Sequence, residues 1–139
     1  MTRSDRMKKA APAVLRVGLA LVFLWFGFTQ LGDTTMWERL IPASITGMTG
    51  LSASTLVTFN GAFEVIFGLC LLLGFFTRVS ALLLALHLVS ITMTVGYNAI
   101  GVRDFGLTLS AFALFLMGVH AYSVDNWLCT RYEQKGVQM

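Results

Sequence analysis

The chain has 139 residues, one domain by length, with 56% hydrophobic and 12% charged residues and a positive mean hydropathy. That composition excludes the soluble globular class and points to an integral membrane protein. A formal charge of +3 would suggest nucleic acid or anionic lipid in a soluble protein. In a membrane chain it is topology information, and no nucleic-acid partner is expected.

The basic N-terminus MTRSDRMKKAAP could open a signal peptide. The apolar run after it has no A-x-A-like cleavage site, however, and three more such runs follow, so it reads as a retained first transmembrane helix. A span needs about 20 apolar residues, and four segments qualify, at about 14–31, 56–76, 79–97 and 104–122. The expected fold is all-α, a single polytopic membrane four-helix bundle over residues 1–139, placed in the cell inner (plasma) membrane. Arg3, Arg6, Lys8 and Lys9 precede the first span, Arg78 sits in the second turn, and Arg131 and Lys135 follow the last span. Arg39 and Arg103 fall on the other side, so both termini are expected to be cytoplasmic. Arg16, in the first turn of the first span, is expected to snorkel to the cytoplasmic interface.

The long connection 32–55 carries Trp37, Leu40, Ile41, Ile45 and Met48 at mostly helical spacing, with Pro42 near a break. It reads as an amphipathic segment on the outer face, which either caps a cavity or rests on lipid. The Thr77-Arg78 corner is so short that the second and third spans must be antiparallel neighbours. The tail 123–139, with Trp127 and Tyr132 among charges, reads as an interfacial anchor. Cys70 and Cys129 form neither a CxxC nor a metal-ligand spacing, and packing is their expected role.

Within the apolar spans the polar residues are unevenly placed. Asn60, Glu64 and Gly68 are four apart and share one helix face. Counted from Leu56, Glu64 lies about 12 Å below the outer boundary, where a carboxylate is costly. His87, Ser90, Thr94 and Asn98 form a stripe rising from mid-membrane to the outer surface. Trp25, Thr29 and Gln30 end the first span there, and Arg103, Asp104 and Thr108 open the fourth. The outer half thus gathers acids, a guanidinium, amides and hydroxyls, and the inner half is nearly all Leu, Phe, Val and Ala. Glu64 and His87 are the candidate catalytic residues, the first needing a partner or a proton and the second able to hold or relay one. Trp25, Gln30, Asn60, Thr94, Asn98, Arg103 and Asp104 are the candidate binding residues, with Arg103 the expected partner of Glu64. Taken singly, the hydroxyls also read as interhelical glue and the glycines as close-approach points. A bis-histidine haem is not expected, because His87 lies about 12 Å and His120 about 3 Å from the inner boundary. Neither flavin nor metal is indicated.

These features in order resemble the DoxX-like (DoxD/DoxX) membrane proteins of bacteria and archaea. The resemblance lies in LRVGLALVFLWFGFTQL, in GAFEVIFGLCLLLGFFTRVSALLLAL, in VRDFGLTLSAFALFLMG and in the YSVD that ends the fourth span. The spacing E-x3-G-x5-G-x3-R from Glu64 through Gly68 and Gly74 to Arg78 is its most specific part. Many members carry a basic residue where this chain has Gln30. The resemblance implies a quinone-interacting or accessory subunit of a membrane redox complex, as in sulfur-compound oxidation of the thiosulfate:quinone oxidoreductase type. It implies a quinone as cofactor, with Trp25, Phe26 and Phe63 as the apolar slot, and a redox partner subunit as electron donor. The lipid bilayer and a second copy of the chain are the other partners considered. A small solute or proton transporter and a non-catalytic scaffold are the alternative functions.

Overall fold

The computed structural model describes residues 2–118, 123–127 and 130–131. His120, Tyr122, Cys129, Tyr132 and Lys135 lie outside the described residues, so the haem geometry and the end of the tail are not addressed. Among the described residues four helices are long and apolar enough to cross a membrane: α1 (Arg3–Gly32), α4 (Ala53–Leu73), α5 (Thr77–Val95) and α6 (Ala99–Met117). Two short helices, α2 (Thr35–Glu38) and α3 (Ala43–Thr49), lie between α1 and α4.

The helix boundaries follow capping chemistry more than apolar content. Ser52 caps α4, its hydroxyl accepting from the Thr55 amide at 3.1 Å, and Gly74 ends the helix in the left-handed conformation that glycine adopts without strain. Asn98 caps α6 through its side-chain oxygen, which accepts from the amides of Ile100 and Gly101 at 2.9 and 3.0 Å. The fourth span therefore starts at Ala99, five residues before the apolar run alone suggested, and Gly118 closes it with φ of 80°. At the other extreme α1 extends back to Arg3, because Thr2 and Asp5 form a capping box. Asp33 turns the chain out of α1 and accepts from the amide and hydroxyl of Thr35. Those bonds hold its carboxyl below the ordinary range.

Packing divides the bundle into two tight pairs, α1 with α4 and α5 with α6, which meet each other more thinly. The α1–α4 crossing rests on two glycines in register. A Cβ on Gly27 would stand 2.8 Å from the Gly61 carbonyl oxygen, and one on Gly61 would stand 3.0 Å from that of Gly27. Gly68 extends the same close approach against Phe23 and Leu24. Beyond this crossing, towards the α4–α5 turn, the pairs share a core of Leu19, Phe23, Leu71, Leu84, Ala85 and Leu114.

That turn is where the structure corrects the reading of Arg16. Its side chain does not snorkel; the residue is 4% exposed, lying against Gly74 and within the field of Asp125. Asp125 is the last residue of YSVD, and its two carboxylate oxygens accept from the amides of Phe76 and Thr77, each at 2.8 Å. Its own amide donates to the Gly74 carbonyl at 3.0 Å. One carboxylate therefore caps α5, offsets the left-handed backbone of Phe76 (φ 47°) and balances a buried guanidinium. Arg78, on the next turn, donates to the Phe115 carbonyl at the end of α6 and lies over the Phe115 ring. It closes a helix end and has no contact with Glu64. In the short tail, Arg131 stacks on Trp127 at 4.0 Å.

Removing the Asp125 carboxylate should thus uncap α5 and remove a charge that acts on the buried Arg16. We expect Asp125→Ala to lose about 1–3 kcal/mol, with Asp125→Asn intermediate, in denaturant titrations of the detergent-solubilised protein. Equal stability of Asp125→Ala and the parent chain would contradict this role.

Candidate functional site

Opposite the α4–α5 turn the two helix pairs diverge and enclose a cavity of about 340 Å³. Every spanning helix supplies a wall. Phe23, Phe26 and Gln30 come from α1, Asn60 and Glu64 from α4, His87, Ile91 and Thr94 from α5, and Arg103, Asp104 and Leu107 from α6. Trp37, Leu40, Ile41 and Ile45 of the α2–α3 connector also line it. Of the two roles open to the connector, it takes that of a cover. Trp37 meets Phe26 edge-on, with ring centroids 5.7 Å apart. The exposed Met48 takes no part in the lining.

The carboxylate of Glu64 sits in the polar wall, the residue being 4% exposed. Its hydrogen bonds come from amides. Gln30 Nε2 donates to Oε2 at 2.9 Å, Asn60 Nδ2 reaches Oε1 at 3.3 Å, and the same Asn60 nitrogen donates to Gln30 Oε1 at 2.5 Å. These bonds follow from the Gly27–Gly61 crossing, which lets α1 and α4 approach until Gln30 lies against the Asn60–Glu64 face.

Arg103 is not the direct partner expected for Glu64. Its Nε and NH2 atoms bind one oxygen of the neighbouring Asp104, at 2.8 and 2.7 Å, and its guanidinium covers Phe26 at 4.4 Å. Asp104 is the nearer carboxylate because it follows Arg103 in sequence. The Arg103–Asp104 pair acts on Glu64 only across space. Thr108 completes this wall by donating to the Asp104 carbonyl at 2.8 Å.

His87 lines the cavity with its ring stacked on Phe63, centroids 4.5 Å apart. Its Nε2 is buried and has no hydrogen-bond partner among the described residues. A buried polar atom left unpaired costs about 1–3 kcal/mol, so its retention points to a use. Phe63 lies behind His87 and lends it a face, outside the cavity lining.

Two expected site residues lie elsewhere. Trp25 is 69% exposed and lines a shallower groove between α1 and α6, because it is one residue, and so about 100° of helix, away from Phe26. Asn98 spends its side chain on the α6 cap. Thr94 and Ser90 do line the cavity, each with its hydroxyl bonded to its own helix. Residues not anticipated as walls are the aliphatic Leu88, Ile91 and Leu107, which carry no polar group to single them out in an apolar span. Among the described residues no group of His, Cys, Asp and Glu gathers as metal ligands.

Fold and site together define an integral membrane protein, a helical bundle with a polar-walled cavity at one end. The DoxX family model matches residues 11–97, which include α1 from Ala11 onward, the connector, Glu64 and all of α5, and the chain belongs to the DoxX family. Neither a curated protein nor a solved structure matches it.

The amide clamp makes a specific demand. Gln30→Leu strips a donor from Glu64 and an acceptor from Asn60, and we expect it to cost about 1–3 kcal/mol. Gln30→Leu on an Asn60→Leu, Glu64→Leu background should cost much less. A thermodynamic cycle of unfolding midpoints checks this coupling.

Proposed function

We propose that the chain is a quinone-interacting or accessory subunit of a membrane redox complex. The observation that supports it is the mixed lining of the cavity. Phe26, Leu88, Ile91 and Leu107 offer apolar surface for a ring, and Glu64, His87 and the Arg103–Asp104 pair offer polar groups within the same cavity. A volume of about 340 Å³ lies at the lower end of the range of about 300–1,000 Å³ usual for small-molecule sites. It suits a single substituted ring. The unpartnered His87 Nε2 is the atom such a ring would satisfy.

A bound quinone supplies two-electron redox chemistry that takes up protons at its carbonyl oxygens. The residues of the chain then divide the remaining work. His87 offers a hydrogen bond from the α5 wall. Glu64, oriented by Gln30 and Asn60, exchanges a proton with the site. Asp104 fixes the guanidinium of Arg103, which holds its remaining N–H groups as preorganised donors. The connector and the Phe26–Trp37 contact limit water. On this reading the basic termini favour the cytoplasmic side, and the connector end faces the outer side of the inner membrane. Electrons arrive from a redox partner subunit, of the kind found in sulfur-compound oxidation.

His87→Phe keeps the stack on Phe63 and removes the unpaired nitrogen. We expect unchanged or higher thermal stability together with at least tenfold weaker binding of a short-chain ubiquinone or menaquinone analogue, measured by calorimetry in detergent. Glu64→Gln should also weaken binding and remove its dependence on pH. Undiminished binding by both variants would overturn the proposal.

A further inference from the structure

The cavity is large enough for a substituted ring and too small for the long apolar tail that a membrane quinone carries, so the tail must leave it. Most of its sides are closed by packing. Towards the α4–α5 turn lies the core that begins at Phe23 and Leu88. At the other end the connector covers it with Trp37, Ile41 and Ile45. The α1–α4 seam is shut by the Gly27–Gly61 crossing, and the α1–α6 side by Arg103 lying on Phe26.

The α4–α5 side differs. Phe59 is 66% exposed, and Ser90 and Thr94 are exposed as well, yet all three line the cavity. Phe59 stands about 9 Å from the start of α4 and Ser90 about 8 Å from the end of α5, at 1.5 Å per residue in antiparallel helices. They therefore lie at one level and form two sides of a lateral opening, below which Phe63 and His87 stack. The rim makes little polar demand. Ser90 donates to the His87 carbonyl at 2.7 Å and Thr94 to the Ser90 carbonyl at 2.8 Å, so both hydroxyls are satisfied within α5. Outside the opening, Met93 on α5 is exposed, and Ile66 and Leu86 are exposed two turns nearer the α4–α5 turn.

Resting on the quinone reading above, we infer that the cavity is loaded sideways from the bilayer between α4 and α5, and that the tail of its amphiphilic occupant lies over Phe59 while the ring occupies the cavity. Access from the water phase across the connector is not used. The groove on the opposite, α1–α6 side, which shares Trp37, Leu40, Ile100 and Arg103 with the cavity, is not the path of the tail.

Two photoreactive quinones test this on the unmodified chain in liposomes, one with a diazirine on the ring and one with it on the first isoprenoid unit. Labelled residues are read by mass spectrometry with and without excess unlabelled quinone. We expect competable ring labelling of cavity walls such as Ile91 and Leu107, and competable tail labelling at Phe59 and Met93. Ring labelling in the cavity with tail labelling at Trp25, Thr29 or Met36, or at Ile41 and Ile45, overturns the lateral path and leaves the quinone reading standing. No competable ring labelling in the cavity overturns both.

Discussion

Glu64 sets the terms for one end of this bundle. A carboxylate taken out of water into an apolar helix packing must find donors, a cation or a proton. Here it finds two primary amides, Gln30 and Asn60, themselves joined by a hydrogen bond. Amides stabilise either protonation state, since each can donate to an anion and tolerate an acid, whereas a direct ion pair with Arg103 would fix Glu64 as a carboxylate. The guanidinium is bound instead to Asp104, so no direct ion pair pins the acid in the cavity wall as a carboxylate. Each link in this arrangement is geometric. Without a glycine at 27 and at 61 the two helix backbones could not approach, and Gln30 would fall short of Glu64.

The other end solves a related problem with opposite charge. Arg16 is buried there, and the Asp125 carboxylate that lies in its field also serves as the N-cap of α5. Helix capping, backbone strain at Phe76 and charge balance are thereby coupled in one residue that comes from the far end of the sequence. The family-like residues Gly74, Arg78 and YSVD make physical sense together. Gly74 provides the left-handed turn and the room for Arg16, Arg78 closes α6, and Ser123 accepts from the Asn126 amide in the segment that carries Asp125.

The spans and the clustering of polar residues at one end were legible in the sequence because both are one-dimensional signals, apolar length and helical period. Asn60 and Glu64, four apart, could be placed on one face by counting. What could not be counted was azimuth between helices. Trp25 and Phe26 are adjacent and equally aromatic, and only the position of the Gly27–Gly61 crossing decides which one faces inward. Asn98 looked like the top of the α5 stripe because its local capping role depends on a helix start that apolar content does not mark. Arg16 resembled any interfacial arginine, since its partner Asp125 lies more than a hundred residues away in a segment that reads as tail.

The core also bears on what the cavity can be. Between it and the α4–α5 turn, Leu71, Leu84, Ala81, Ala111 and Leu114 are wholly buried, contributed by three helices. A path for a hydrated solute through a single chain would have to part these residues, exposing apolar surface at about 25 cal/mol per Å². A blind cavity open to the side needs no such parting. Ring and tail of an amphiphile match its two environments, a polar wall within and an apolar surface at Phe59 and Met93 without. The division into two tight helix pairs serves the same end: α1–α4 holds the acid and its amides, α5–α6 holds the imidazole and the ion pair, and the site exists only where the pairs face each other.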